Sequence, residues 1–262
     1  MEPIIAFAGV TKTFDSGYTA IRDVSFAIPA ARFVALVGPS GCGKSTSLTL
    51  IAGLDTVSAG TVSVRGVPVT GIANGVGFLF QRDALLPWKT VRDNVTLPLQ
   101  LRGMSRAEAA RRTADWIGRV GLRGFEDSYP HQLSGGMRKR ASLAQTLVYD
   151  PEILLMDEPF SALDVQTRNL MEGELLGLWQ GSGKTVLFVT HDLEEAIALA
   201  DQVIVMTAGP ARVKATYEVT LPRPRDVQDV RFEPRFVELY AAMWADLRDE
   251  VLTSYERARQ AT

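Results

Sequence analysis

Between the apolar run Phe33–Val37 and a helical pattern that starts at Lys44, the chain carries GPSGCGKST, residues 38–46. These residues fit the pattern G-x-x-x-x-G-K-[ST], whose required setting is the one found here: a strand, a glycine loop and a helix in immediate succession. Gly38, Gly41 and Gly43 allow the backbone to wrap closely around anionic oxygens, so that successive N–H groups and the helix N-terminus point at phosphate. The whole loop, including Pro39, Ser40, Cys42 and Thr46, is therefore a candidate nucleotide site. Lys44 is placed to reach β- and γ-phosphates, and the Ser45 hydroxyl to ligate Mg2+. Cys42 is expected to offer its backbone N–H rather than its thiol. A plain glycine-rich turn would leave the flanking strand and helix unexplained.

A second run, Ile153–Met156, is apolar throughout, as in a central parallel strand buried on both faces, and it delivers Asp157 and Glu158 to the strand's C-terminal edge. Ligands bind at that edge in open α/β sheets. Neighbouring strand residues point in different directions, so the two carboxylates divide the work. Asp157 is assigned to the Mg2+ shell, and Glu158 to the attacking water as general base or orienter. Alone, an Asp-Glu pair is an ordinary solvated strand end; the phosphate loop upstream gives it a use.

LSGGM, residues 133–137, precedes a helical stretch to Val148, and its Ser134, Gly135 and Gly136 expose free N–H groups at a helix N-terminus. Arg138, Lys139 and Arg140 follow at once. Cations in a first helical turn oppose the dipole by about 0.3 to 1 kcal/mol each. A phosphate bound there would relieve the conflict; a solvated basic face is the plainer alternative. His191 follows another apolar strand, Val186–Val189, where it is either a hydrogen-bonded strand end or a group aimed at the nucleotide. His131 has no comparable placement and reads as structural.

With these motifs in order, the chain resembles the nucleotide-binding subunit of ABC transporters over residues 4–220. The resemblance implies a P-loop ATPase fold of the α/β class, a RecA-like core with an antiparallel β subdomain and an inserted helical signature subdomain. It implies two cassettes facing head to tail around two ATP molecules, each site joining the phosphate loop of one chain to Ser134 and Gly136 of the other. Carried over in the same way, Phe14 stacks on adenine, with Tyr18 as the competing aromatic. Gln81 meets Mg2+ and a transmembrane partner, Ser161 to Asp164 form the D-loop, and His191 is the switch histidine at the γ-phosphate. Met137 departs from the family's usual glutamine; because Ser134 and backbone N–H groups would hold the phosphate, activity is expected to survive.

Composition narrows the partners. A formal net charge of −2 gives no general drive toward nucleic acid, and no basic stripe stands out beyond the 138–140 cluster. The single cysteine among 262 residues cannot form an internal disulfide, which suits a reducing compartment. Residues 1–9 carry Glu2 and no basic start, so they read as a first strand rather than a secretory signal. No apolar run approaches the roughly 20 residues that span a bilayer. A transport motor built on this chain needs a polytopic permease supplied by another chain, and its place is peripheral, at the cytoplasmic face of the inner membrane.

The segments Ile4–Val10, Val24–Ile28 and Thr61–Val64 are short and β-rich, as in an antiparallel sheet beside the ATP core. Residues 1–220 form the expected nucleotide-binding domain, with a helical part over about 88–150. Within it Ser105 and Glu108 are placed as a capping box, with Gly121 as the stop. This insertion holds LSGGM away from its own phosphate loop. Strands near Val186 and Val203, with a helix from about Leu193 to Ala200, complete a parallel βαβ arrangement. Residues 221–262 form an extension whose helix, about Phe236–Val251, carries Phe236, Tyr240, Met243, Leu247 and Val251 as an apolar stripe for packing.

Two segments resemble a narrower group. Phe80–Trp88 followed by Thr90–Val95, and the tail opening Leu221-Pro222-Arg223-Pro224-Arg225, are similar to importers of nitrate, sulfonates and taurine. That likeness implies a homodimer coupled to permease subunits and indirectly to a solute-binding protein, with Leu85, Leu86 and Trp88 exposed for docking unless they pack within their own loop. It also implies no added regulatory β-barrel. The rivals are a soluble ABC ATPase of ribosomes or DNA, which usually resembles two cassettes or a coiled-coil-split one, and an exporter cassette. A phosphate-loop kinase leaves LSGGM and His191 unexplained.

Overall fold

The computed structural model describes residues 2–260, with the side chains of 257, 258 and 260 outside that description. Met1 and the last two residues of the 221–262 extension also lie outside the described residues. In chain order the elements are β1 (Ile5–Thr13), β2 (Thr19–Ile28), β3 (Phe33–Val37), α1 (Lys44–Ala52), β4 (Ala59–Val64), β5 (Val67–Pro68) and β6 (Val76–Leu79). There follow α2 (Val91–Leu101), α3 (Arg106–Arg119), α4 (Gly135–Leu147), β7 (Ile153–Asp157), α5 (Val165–Trp179), β8 (Thr185–Thr190), α6 (Leu193–Leu199), β9 (Gln202–Met206), β10 (Val213–Glu218) and α7 (Pro234–Gln260).

The strands form two sheets, one in the order β2-β1-β4-β5 and one in the order β10-β9-β3-β8-β7-β6. In the first, β1 pairs antiparallel with both β2 and β4. In the second, β9, β3, β8, β7 and β6 run parallel and only β10 is antiparallel. The composition of the strands explains the difference. Phe33–Val37 and Thr185–Thr190 are buried at every position, as strands covered on both faces must be, whereas β1 alternates buried and less buried residues. The β8–α6–β9 unit is parallel, but β3 lies between its two strands.

One core cluster lies between the parallel sheet and α5, α6 and α7; a second joins the other sheet face to α1 and the antiparallel sheet. A third, built from Val95, Leu99, Ile117, Leu122 and Ala141, is confined to the helical region of α2, α3 and α4. That region has its own apolar contacts, so it can be placed as a unit beside the sheet.

Three local expectations are corrected. The Ser105 hydroxyl accepts from Glu108 N, but the Glu108 carboxylate turns to Arg111 and Arg112, so only half of the capping box forms. The α7 helix continues to Gln260, beyond the expected end near Val251. Its buried stripe is Phe236, Leu239, Met243 and Leu247, while Tyr240 and Val251 are exposed. Leu239 and Tyr240 flank the stripe on opposite sides, and the surface on which α7 packs takes in Leu239.

Candidate active site

The glycine loop sits where β3 ends and α1 begins, at the carboxyl edge of the parallel sheet. Gly43 is the helix N-cap with φ +111°, and a Cβ there would come within 2.5 Å of Ile21 Cγ2, so this position demands glycine twice over. Cys42 is buried, and burial pushes its thiol up. The Lys44 ammonium is also buried and donates to the Gly38 and Pro39 carbonyls at 2.9 and 3.0 Å, folding back on its own loop. Thr46 is part of the first turn of α1.

Next to this loop, the end of β7 places its two acids differently. Asp157 accepts from the Ser45 hydroxyl at 2.9 Å, and burial raises the Asp157 carboxyl above its ordinary range. Glu158 leaves the strand with φ +42°, a left-handed conformation that is costly for a residue with a side chain. Its backbone N–H is held by Val189 O on β8. Its carboxylate oxygen Oε2 lies 3.2 Å from His191 Nδ1 and 3.3 Å from Gln81 Nε2. The His191 contact holds the Glu158 carboxyl below its usual range and, reciprocally, raises the imidazole. Sequence spacing does not reveal this shared oxygen, because the three residues arrive from β6, β7 and β8 and meet only when those strands pair.

Ser161 Oγ donates to Glu158 O at 3.0 Å, tying the 161–164 turn to the same strand end. Asp164 caps α5 by accepting from Thr167 N, so its carboxylate is engaged within its own chain. Near the phosphate loop, Phe14 and Tyr18 lie with near-parallel rings, 10° apart and 6.4 Å between centroids. Tyr18 Oη donates to Gly41 O at 3.1 Å, and Lys12 lies 5.1 Å from the Phe14 ring centre. The two competing aromatics therefore occupy one face, with Tyr18 joined directly to the phosphate loop.

The Ser134 hydroxyl accepts from Met137 N and caps α4, while Gly135 and Gly136 start the helix. The basic cluster behaves differently from expectation. Arg138 pairs with Asp83 and donates to Leu133 O; Lys139, buried, pairs with Asp83 and donates to Gln81 O at 2.6 Å; Arg140 pairs with Glu174. Carboxylates and carbonyls inside the chain offset the unfavourable helix-end charge, so no phosphate is needed for that purpose. The docking triplet is corrected too: Leu85 is buried in the helical core, Leu86 is half-buried, and Trp88 alone of the three stands out, 71% exposed. His131 stacks on Tyr129.

The donor set fits a hard divalent cation. Ser45 and Asp157 present adjacent oxygens, and Mg2+ bound with phosphates and water needs only one or two protein ligands. Among the described residues no cluster of three or more His, Cys, Asp or Glu side chains could hold a metal alone. The Gln81 amide donates to Glu158 rather than to the Ser45–Asp157 pair. No helix among the described residues is long and apolar enough to cross a membrane.

The family model described as "ABC transporter" matches residues 21–161. The chain is 46% identical over 257 residues to an uncharacterized ABC transporter ATP-binding protein of Methanocaldococcus jannaschii, covering 97% of this chain and 95% of that one. It is 46% identical over 197 residues to the taurine import ATP-binding protein of Yersinia pestis, covering 75% and 77%. Among solved structures it is similar to a dimeric ATP-binding cassette in a post-hydrolysis state bound to ADP and Pi, with TM-score 0.74, 32% identity, and coverage of 83% of this chain and all of that one.

Proposed function

Because this chain belongs to the ABC transporter family and is an ATP-binding ATPase, we propose that it is the motor subunit of a bacterial importer for a small solute of the nitrate, sulfonate or taurine kind. The observation that carries the reading is the convergence of Gln81 and His191 on one oxygen of Glu158, beside the Ser45–Asp157 contact at the phosphate loop. We read residues 1–220 as the nucleotide-binding unit, about 88–150 as its helical insertion and 221–262 as an extension.

In this reading ATP lays its phosphates along residues 38–46, and Lys44 exchanges the Gly38 and Pro39 carbonyls for β- and γ-phosphate oxygens. Ser45 and Asp157 would hold Mg2+, with Gln81 on its water side, and the ion would neutralise developing phosphate charge. Glu158 takes a proton from the attacking water as its oxygen bonds to the γ-phosphorus and the bond to the β-phosphate bridging oxygen breaks, leaving ADP and phosphate. His191 and Gln81 fix the direction of that carboxylate, and His191 also faces the γ-phosphate. Phe14 and Tyr18 supply a stacking face for adenine.

A second copy would complete each site with Ser134, Gly135 and Gly136, whose backbone N–H groups rather than the paired cations at 138–140 would meet the γ-phosphate. Asp164 would act through the 161–164 turn at that dimer seam. The exposed Trp88 beside the Gln81 loop supports docking on a permease at the cytoplasmic face of the membrane, with a solute-binding protein on the far side. The test is isolation from native membranes with ATP. A polytopic permease recovered in stoichiometric amount supports the importer motor; ribosomes, DNA or no membrane protein would replace it with a soluble role.

A further inference from the structure

The extension after β10 does more than fill space: it grips α6, the short helix that begins two residues after His191, at both ends. At the far end, Arg225 is buried and its guanidinium donates to the carbonyls of Ile197, Ala198 and Ala200, the last turn of α6; Arg223 donates to Leu199 O. At the near end, Arg231 Nη1 lies 2.9 Å from Glu194 in the first turn of α6, and Nη2 lies 3.2 Å from Glu172 on α5. Burial pushes the Glu172 carboxyl up to about 8 despite this contact, while the Arg231–Glu194 pair is the shorter of the two. Between the two ends, Phe236, Leu239 and Met243 of α7 share one buried cluster with Ala196, Ile197 and Ala200.

The near end is wired to His191. Asp192 caps α6 by accepting from the Glu194 and Glu195 N–H groups, and it donates its own N–H to Thr190 Oγ1, whose hydroxyl in turn donates to Glu195 at 2.6 Å. Arg168 spans from Asp192, at 3.5 Å, to the Leu163 carbonyl in the 161–164 turn. His191, half exposed, lies between the end of β8 and the first turn of α6, so its position depends on both, and Arg231 is one of the groups that hold that turn.

We propose that residues 221–260 are an intramolecular brace for the histidine turn, with Arg231 as a positioning residue that keeps His191 on Glu158. The activity arm of this proposal rests on the ATPase roles given above to Glu158 and His191; the structural arm does not. Removing the Arg231 charge leaves backbone and core in place but lets the first turn of α6 shift, and an ångström-scale displacement of a group that orients the reacting carboxylate is enough to slow chemistry.

The test compares the full-length chain with Arg231→Met, Arg231→Lys and Glu194→Gln. The protein has two histidines, so 15N-histidine spectra at one fixed pH give His191 and His131 as site and internal reference. In Arg231→Met the His191 signals move or broaden while those of His131 stay, kcat for ATP falls about 3- to 10-fold with KM nearly constant, and Arg231→Lys restores most of both. Unchanged His191 signals, or equal shifts of both histidines, would overturn the brace. If Arg231→Met does not fold, Glu194→Gln breaks the same pair from the helix side and is read by the same histidine signals and the same kcat. His191→Ala separates the readings: if it leaves ATPase activity unaltered while Arg231→Met still moves the His191 resonances, the brace stands and the role given to His191 falls.

Discussion

Charged side chains gather both at the edge around Glu158 and at the start of α4, yet they are partnered differently. At the Glu158 edge, several donors compete for few acceptors: Gln81 and His191 share one oxygen, Lys44 rests on loop carbonyls, and Glu158 itself holds a costly backbone angle. At α4, every cation of the 138–140 run has a partner inside the chain, and the helix is capped by Ser134. A contact to a loop carbonyl or a shared carboxylate can be traded for one to a ligand at little cost. A buried lysine bonded to Asp83 and Gln81 cannot. The first region is arranged for exchange and the second for permanence.

The sharpest way to break this contrast is at Glu158. Glu158→Gln keeps size and both neighbours but removes the proton acceptor proposed above, so turnover should fall about 100- to 10000-fold while ATP affinity is retained, measured by steady-state hydrolysis beside equilibrium nucleotide binding. Unchanged turnover would show that the shared oxygen is ordinary strand-end chemistry.

The opposite result is expected from Lys139→Met. It leaves Asp83 without its buried partner and should lower unfolding free energy by about 2–3 kcal/mol in urea titration, with ATP affinity of the folded fraction little changed. A specific loss of ATP affinity without destabilisation would return the basic run to phosphate binding and erase the distinction.

The smallest effect is the pH dependence of the Glu158–His191 contact. The Glu158 carboxyl lies below its ordinary value, so its share of the stability is present at neutral pH and disappears as pH falls through that lowered value. The imidazole lies above its ordinary value, so its share is complete below about pH 6.5 and is lost as pH rises through the raised folded value. The gap in thermal stability between the wild-type chain and His191→Gln should therefore be wider near about pH 5.5 than near about pH 8.5. A constant gap would mean the two side chains are neighbours without being a pair.

Sequence reading reached the glycine loop, the acids at the end of β7, the main strands of both sheets and the serine cap of α4, since each is written in consecutive residues. It missed what depends on contacts distant in the chain. Lys139 looks like a surface cation until Asp83, 56 residues earlier, is folded beneath it. Leu85 belongs by composition to an exposed loop, but the helical core takes it in. Leu239 displaces Tyr240 from the α7 stripe because the phase of a long helix is set by the surface it lies on. Nor does any spacing rule find Arg225 or Arg231, whose partners are helix-end carbonyls and acids on two other elements.

The buried position of Cys42 has a practical consequence. It is the sole thiol in the chain, 1% exposed, in the middle of the phosphate loop, and burial keeps it largely in the unreactive protonated form. Its alkylation must wait for the loop to open. The rate of thiol labelling is then a clock for that opening, available in the unmodified protein and without an attached probe.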